Sequence, residues 1–172
     1  IPLKMHVGGP CSPIVKVGDR VLRGQLIAEP SGLGANIHAS YTGEITAVTE
    51  TDIVIKADDK QNFDEYVKIP DTKTNLEAIA AAGVVGAGGA GFPTAVKLKT
   101  EIPQGCFIAN CAECEPLLAH NIHQIETDAA QLVRGVKYAM EITKAPKGYI
   151  AIKPKHKKAV IELIKACRNE DN

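Results

Sequence analysis

The sequence predicts two domains of different class: an all-β sandwich or barrel over residues 1–66, then an α/β domain with a mainly parallel sheet over residues 67–172. Three features carry this prediction. Short β-rich runs broken by glycine turns fill residues 11–56. A glycine-rich run, Gly86-Ala-Gly-Gly-Ala-Gly-Phe-Pro-Thr94, leads into a helical pattern. Beyond residue 106, apolar runs alternate between strand and helix periods, the order of a parallel sheet with helices on its faces.

In the first domain, Ile14-Val-Lys-Val17 precedes a Gly18-Asp19 turn, Val21-Leu22, Gly24 and Gln25-Leu-Ile-Ala28. A loop from Glu29 to Asn36 leads to Ile37-His-Ala39, the turn Tyr41-Thr-Gly43, Glu44-Ile-Thr-Ala-Val48 and Ile53-Val-Ile55. The polar stretch 57–65 marks a boundary, and Pro70 discourages regular structure in the crossing that follows. Thr74 is placed to cap a short helix ending near Ala82, ahead of Gly83. A second helix spans about 93–99 with Pro93 at its opening position. Phe107-Ile-Ala109 reads as a buried strand that delivers Asn110 at its C-terminal end, where ligands of open α/β sheets collect. Ile122, Ile125, Ala129, Leu132, Val133, Val136 and Met140 define a helix from about His120 to Thr143. Gly148 to Ile152 is a further strand, and Lys155 to Cys167 an amphipathic helix burying Ala159, Val160, Leu163 and Ile164.

Composition narrows the function. Hydrophobic residues make up 45% of 172, enough for a core without metals or disulfides. A formal net charge of +0 removes the electrostatic case for a nucleic-acid partner. No apolar run approaches the ~20 residues of a membrane span, and no signal-peptide pattern opens the chain. Five cysteines, an odd number, fit a reducing cytoplasm, and the start at Ile1 without a methionine reads as a fragment.

The glycine run has two readings. Bare backbone amides without Cβ atoms can form a concave anion site, with Thr94 donating to a phosphate or capping the helix and Lys97 on its first turn. Alternatively, glycines allow a helix to pack tightly against its neighbour. Among the carboxylates, Glu113 and Glu115 lie two apart in a strand-to-loop segment, so both can face one cleft; the alternative is a solvated acidic turn before Pro116. Cys111 and Cys114 have redox-motif spacing, but no second pair completes a metal or cluster site, so no metal ligation is expected. The basic run Lys153 to Lys158 reads as a solvated face or as a patch for an acidic partner.

Val17-Gly-Asp-x-Val-x-x-Gly-Gln25 with His38-Ala-x-x-Thr-Gly43 resembles a barrel-sandwich hybrid of the biotinyl/lipoyl-carrier type. The loop where a carrier keeps its modified lysine, Glu29 to Asn36, has none, so the domain reads as structural or as a docking surface. The pattern GxGGxGFPTxxK over residues 86–97 resembles the flavin loop of the 51-kDa-type flavoprotein subunit of respiratory NADH dehydrogenase and of the C subunit of the Rnf electron-transport complex. Ile108-Ala-Asn-Cys-Ala-Glu-Cys-Glu-Pro116 resembles the Asn-x-(Asp/Ala)-Glu-(Ser/Cys)-Glu-Pro segment that follows that loop. Ala112 stands where the respiratory subunit has Asp, and residues 1–60 resemble the N-terminal domain found only on the Rnf side, which includes the electron-transfer protein of clostridial proline reductase.

The resemblance implies an electron-transfer flavoprotein passing electrons from NADH through FMN to iron–sulfur clusters held by a part that follows residue 172. Gly86, Gly88, Gly89 and Gly91 would approach the cofactor, Lys97 would place a charge near it, and Asn110, Glu113 and Glu115 would wall the ring. Further flavin contacts come from later segments in the family, so weak or no FMN retention is expected of this chain alone. Partners would be other subunits of an electron-transfer complex or a reductase, in the cytoplasm or peripheral on the inner face of the plasma membrane. A flavin-free docking module and a Cys111–Cys114 thiol-redox protein are the alternatives.

Overall fold

The computed structural model describes residues 1–87, 89–114 and 117–168, and its contacts group the chain into two units, Ile1–Lys97 and Leu98–Asn172. In the first unit, two three-stranded antiparallel sheets face each other. One is ordered β1 (Cys11–Pro13), β3 (Leu26–Pro30), β4 (Ile37–His38); the other is β2 (Arg20–Val21), β5 (Gly43–Val48), β6 (Ile53–Ala57). Alternation explains the faces: in β5, Gly43 and Ile45 point inward while Glu44 and Thr46 point to solvent. A register shift between Ile45 and Ala47 ends that alternation and twists the β5–β6 pair. Leu3, Val21, Ile27, Ile37, Ile45 and Ile53 meet between the sheets, each at most 2% exposed. The sheets do not close into a complete barrel.

Helix α1 (Asn75–Ala81) begins where Thr74 predicts it. The Thr74 hydroxyl accepts from the Glu77 amide at 3.2 Å, and the Glu77 carboxylate reaches back to the Lys73 amide at 2.9 Å. This is the reciprocal satisfaction of a capping box, shifted by one residue. Helix α2 (Thr94–Leu98) follows the glycine-rich run.

In the second unit, β7 (Phe107–Asn110) and β8 (Gly148–Ala151) pair in parallel, with α3 (His120–Thr143) and α4 (Lys157–Cys167) packed together and on one face. Ile122, Ile125, Ala129, Ala159 and Leu163 form the core. The mainly parallel sheet expected from the element order is corrected to a parallel pair. Among the described residues beyond 98 only these two runs form strands, and the remaining strands of the chain are antiparallel. Ile164 is also corrected. Placed about 100° around the helix from Leu163, it is 56% exposed and lines an apolar groove of about 950 Å³ with Val136, Met140, Tyr149 and Val160.

Truncating Ile45, which is fully buried between the two sheets, to alanine is expected to cost about 2–5 kcal/mol. A lowered urea midpoint for loss of β-sheet circular dichroism measures it.

Candidate functional site

The glycine-rich run is a narrow hairpin standing on the sandwich. Its neck is closed by two main-chain hydrogen bonds, Thr94 amide to Val84 carbonyl at 2.9 Å and Gly86 amide to Phe92 carbonyl at 3.0 Å, which together make Val85 and Pro93 an antiparallel bridge. Gly86 and Thr94 therefore spend their amides inside the hairpin. Pro93 is buried, and its carbonyl accepts from Lys97 at 3.2 Å, which starts the turn of α2. At the crest, Ala87, Gly89 and Ala90 are exposed. Gly88 lies outside the described residues.

The two described crest-side glycines do different things. Gly89 has φ +61°, and a Cβ there would meet no heavy atom within 4 Å, so its bare side faces open space. Gly91 has the same φ, but a Cβ would sit 3.1 Å from the Met5 carbonyl oxygen and 3.3 Å from the His6 Cα. The sandwich needs Gly91 as glycine; at Gly89 only the positive φ favours it. Lys97 holds its ammonium 5.9 Å from the Phe92 ring centroid.

Below the neck, the last turn of α1 is capped by the sandwich. The Ala81 carbonyl accepts from the Asn36 side-chain amide at 3.3 Å and from the His38 imidazole. Burial pushes the His38 pKa below its ordinary 6.5, partly opposed by that hydrogen bond. His6 ties the same shelf together: its Nδ1–H donates to the Val7 carbonyl at 3.0 Å, and its Nε2 accepts from the Ala35 amide at 3.2 Å. The tautomer follows because a carbonyl can only accept. Cys11, its thiol pKa raised by burial, donates to the Ala35 carbonyl at 3.3 Å.

A second feature belongs to the other unit. Asn110 ends β7, its side-chain oxygen accepting from the Ala112 amide at 3.1 Å to turn the chain. Glu113 accepts from the Cys114 amide and from Asn121 Nδ2, both at 3.1 Å, and Lys153 Nζ donates to the Glu113 carbonyl at 2.6 Å. Asn110, Glu113, Cys114 and Asn121 line a cavity of about 610 Å³ with Cys111, Gln124 and Asp128. Helix α3 breaks at Asp128 (φ −148°, ψ 66°), whose carboxylate caps the next segment through the Gln131 amide at 3.0 Å. Asn110, Cys111, Glu113 and Cys114 thus share one rim, while Glu115 lies outside the described residues. The Cys111 thiol is half-buried and burial raises its pKa, away from the thiolate. Among the described residues no three His, Cys, Asp or Glu side chains gather as metal ligands.

The sequence reasoning missed Asn36, Asn121, Asp128 and the Lys153 contact. Only His38 carried a signal, as a histidine within the carrier-like turn.

The architecture defines a barrel-sandwich hybrid joined to an α/β domain of the FMN-binding class: residues 1–69 match the RnfC barrel sandwich hybrid domain, and residues 79–172 the Nuo51 FMN-binding domain. The chain belongs to the RnfC-like family, within the superfamily of the 51-kDa flavoprotein subunit. It is 37% identical, over 99% of its length and 42% of the relative, to the C subunit of the Na⁺-translocating ferredoxin:NAD⁺ oxidoreductase complex of Acetobacterium woodii. It is 35% identical, over 96% of its length and 40% of the relative, to the C subunit of the proton-translocating ferredoxin:NAD⁺ oxidoreductase complex of Clostridium ljungdahlii. It is also 34% identical, over 99% of its length and 24% of the relative, to the C subunit of the ion-translocating oxidoreductase complex of Vibrio cholerae. The chain spans less than half the length of each of these relatives.

Gly89→Ala should cost about 1–2 kcal/mol for a side chain at positive φ, and Gly91→Ala more, because the sandwich backbone adds a steric term; paired urea titrations rank them. For His38, the depressed folded pKa means its contribution is complete above about 6.5 and is lost as pH falls through the lower folded value. Urea midpoints taken at stepped pH should fall across that window, and His38→Gln should flatten the slope.

Proposed function

We propose that this chain binds FMN and serves electron transfer between NADH and iron–sulfur clusters as part of an ion-translocating, Rnf-type complex. The observation that carries the reading is Gly89: an exposed residue at positive φ whose Cβ side is open, in a loop whose Phe92 ring has the Lys97 ammonium 5.9 Å from its centroid. Open main chain without a Cβ, in a loop that also carries a cation, suits the phosphate of a mononucleotide. The match of residues 79–172 to the Nuo51 FMN-binding domain supports the identity of the ligand.

The residue roles rest on each unit by itself. Gly89 leaves room for the phosphate-bearing end, Gly88 shares that role on the family resemblance, and Lys97 contributes charge. Gly86 and Thr94 spend their amides on the hairpin, and Gly91 and Pro93 hold its shape. In the α/β unit, Asn110, Glu113 and Glu115 border the flavin ring, with Asn121 orienting the Glu113 carboxylate and Lys153 fixing the turn that carries it. When bound, FMN supplies the exchange between two-electron hydride chemistry and one-electron transfer. The protein binds, orients and surrounds it with fixed dipoles.

Parallel sheets are normally covered on both faces. Ile108 and Tyr149, 58% and 53% exposed, lie on the face of β7–β8 opposite the helices. That bare face supports a further covering layer, which the described residues do not supply. The relatives' names support partners that are other subunits of such a complex. Among the described residues no helix is long and apolar enough to cross a membrane, in keeping with peripheral attachment to membrane subunits.

FMN fluorescence titration tests the reading. Saturable quenching by this chain is expected, weakened at least tenfold (about 1.4 kcal/mol) by Gly89→Asp, which places a negative side chain on that open main chain. No saturable quenching up to millimolar FMN, or equal affinity in the variant, removes it.

A further inference from the structure

We propose that the sandwich domain is the positioning element of the glycine-rich loop, with Asn36 and His38 as positioning residues that hold the hairpin in its ligand-ready shape through the last turn of α1. This deepens the flavin reading, on which it rests only for the identity of the ligand.

The hairpin touches the sandwich at two bare places. Gly83, at φ +66°, follows α1, and a Cβ there would overlap the Asn36 carbonyl oxygen. Gly91 leaves the crest against Met5 and His6. Both arms of the hairpin therefore rest main chain to main chain, with no side chain to adjust the fit. Such contacts have little attraction of their own, so directional bonds must set the register. Asn36 and His38 provide them, converging on the Ala81 carbonyl, one of the last carbonyls of α1 that lack a helical partner. The residues carrying these donors belong to the segment that His6 and Cys11 clamp at Ala35, and His6 is also the residue against Gly91.

One residue, His6, thus links the two places, its ring at Ala35 and its Cα against Gly91. The chain of contacts from His6 through Ala35–His38 to Ala81, Gly83 and the neck is continuous, and it ends at the crest where Gly89 lies open. Ordering a loop costs about 1–2 kcal/mol per residue, and a hairpin already held in one shape spares a ligand that cost. A sandwich without a carrier lysine thereby gains a role of its own.

Amide hydrogen exchange on this chain, read by mass spectrometry or NMR without any ligand, is the direct test, with FMN titration alongside. Asn36→Asp and His38→Leu remove the two donors, whereas His38→Gln keeps one. Exchange at Gly86 and Thr94 is expected to speed at least tenfold in Asn36→Asp/His38→Leu, with Ile45 and Ile53 in the sandwich core unchanged. His38→Gln should stay within a few-fold of the wild type, and FMN affinity should follow loop protection across the series. Unchanged exchange at Gly86 and Thr94 overturns the proposal. So does equal loss at Ile45 and Ile53, which would make the contacts part of the sandwich's own stability. The two readings separate: if the wild type does not bind FMN yet the loop loosens selectively, flavin binding fails and positioning stands. If FMN binds and the donor variants neither loosen the loop nor weaken binding, positioning fails and flavin binding stands.

Discussion

The constraint on which the rest depends is steric: at Gly83 and Gly91 the main chain of the hairpin lies so close to the main chain of the sandwich that no Cβ fits comfortably. Neither position tolerates adjustment by rotamer, because the obstructing atoms are backbone at Asn36, Met5 and His6. Everything above this contact inherits its rigidity. The neck closes with two backbone hydrogen bonds, and α2 starts from the Pro93 carbonyl. The described glycines of the run therefore do not form one uniform cradle. Gly91 is needed where the loop meets the sandwich, while at Gly89 the surface is open and only the positive φ favours glycine.

This division explains what can be read from the sequence. The Thr74 cap, the apolar period of α3 and the two strand runs at Phe107 and Gly148 are local signals, and each element appears where its signal lies. The glycine run announces close approach but not to what, since a missing Cβ looks the same whether a ligand or a protein backbone occupies its place. Asn36 and His38 are opaque for a different reason. Their partner is a helix end more than 40 residues away, and nothing in either segment marks the pairing. The break at Asp128 hides behind continuous periodicity: Ile125 and Ala129 stay buried on either side, so the apolar stripe crosses a residue that is not helical. Ile164 fits the helical stripe as well as Leu163 does, yet the groove beside it has no covering layer among the described residues.

Desolvation weighs between the two chemistries suggested by the segment after β7. A thiol-redox centre needs a thiolate at neutral pH, which a neighbouring cation or a helix N-terminus can provide. At Cys111 burial acts in the opposite direction, and the ammonium that approaches this turn, Lys153, is directed to the Glu113 carbonyl oxygen. The amide and carboxylate groups of the same rim face a cavity of about 610 Å³, within the size range of sites for small organic ligands. Asn110 and Glu113 are held by short local bonds to Ala112, Cys114 and Asn121, so their orientation is set before any ligand arrives. Preset polar groups recognise a ring edge with donors and acceptors, whereas a protonated, half-buried thiol contributes little to attack. At Cys111, then, burial acts against the thiolate that disulfide exchange needs, while the polar groups of the same rim are already oriented.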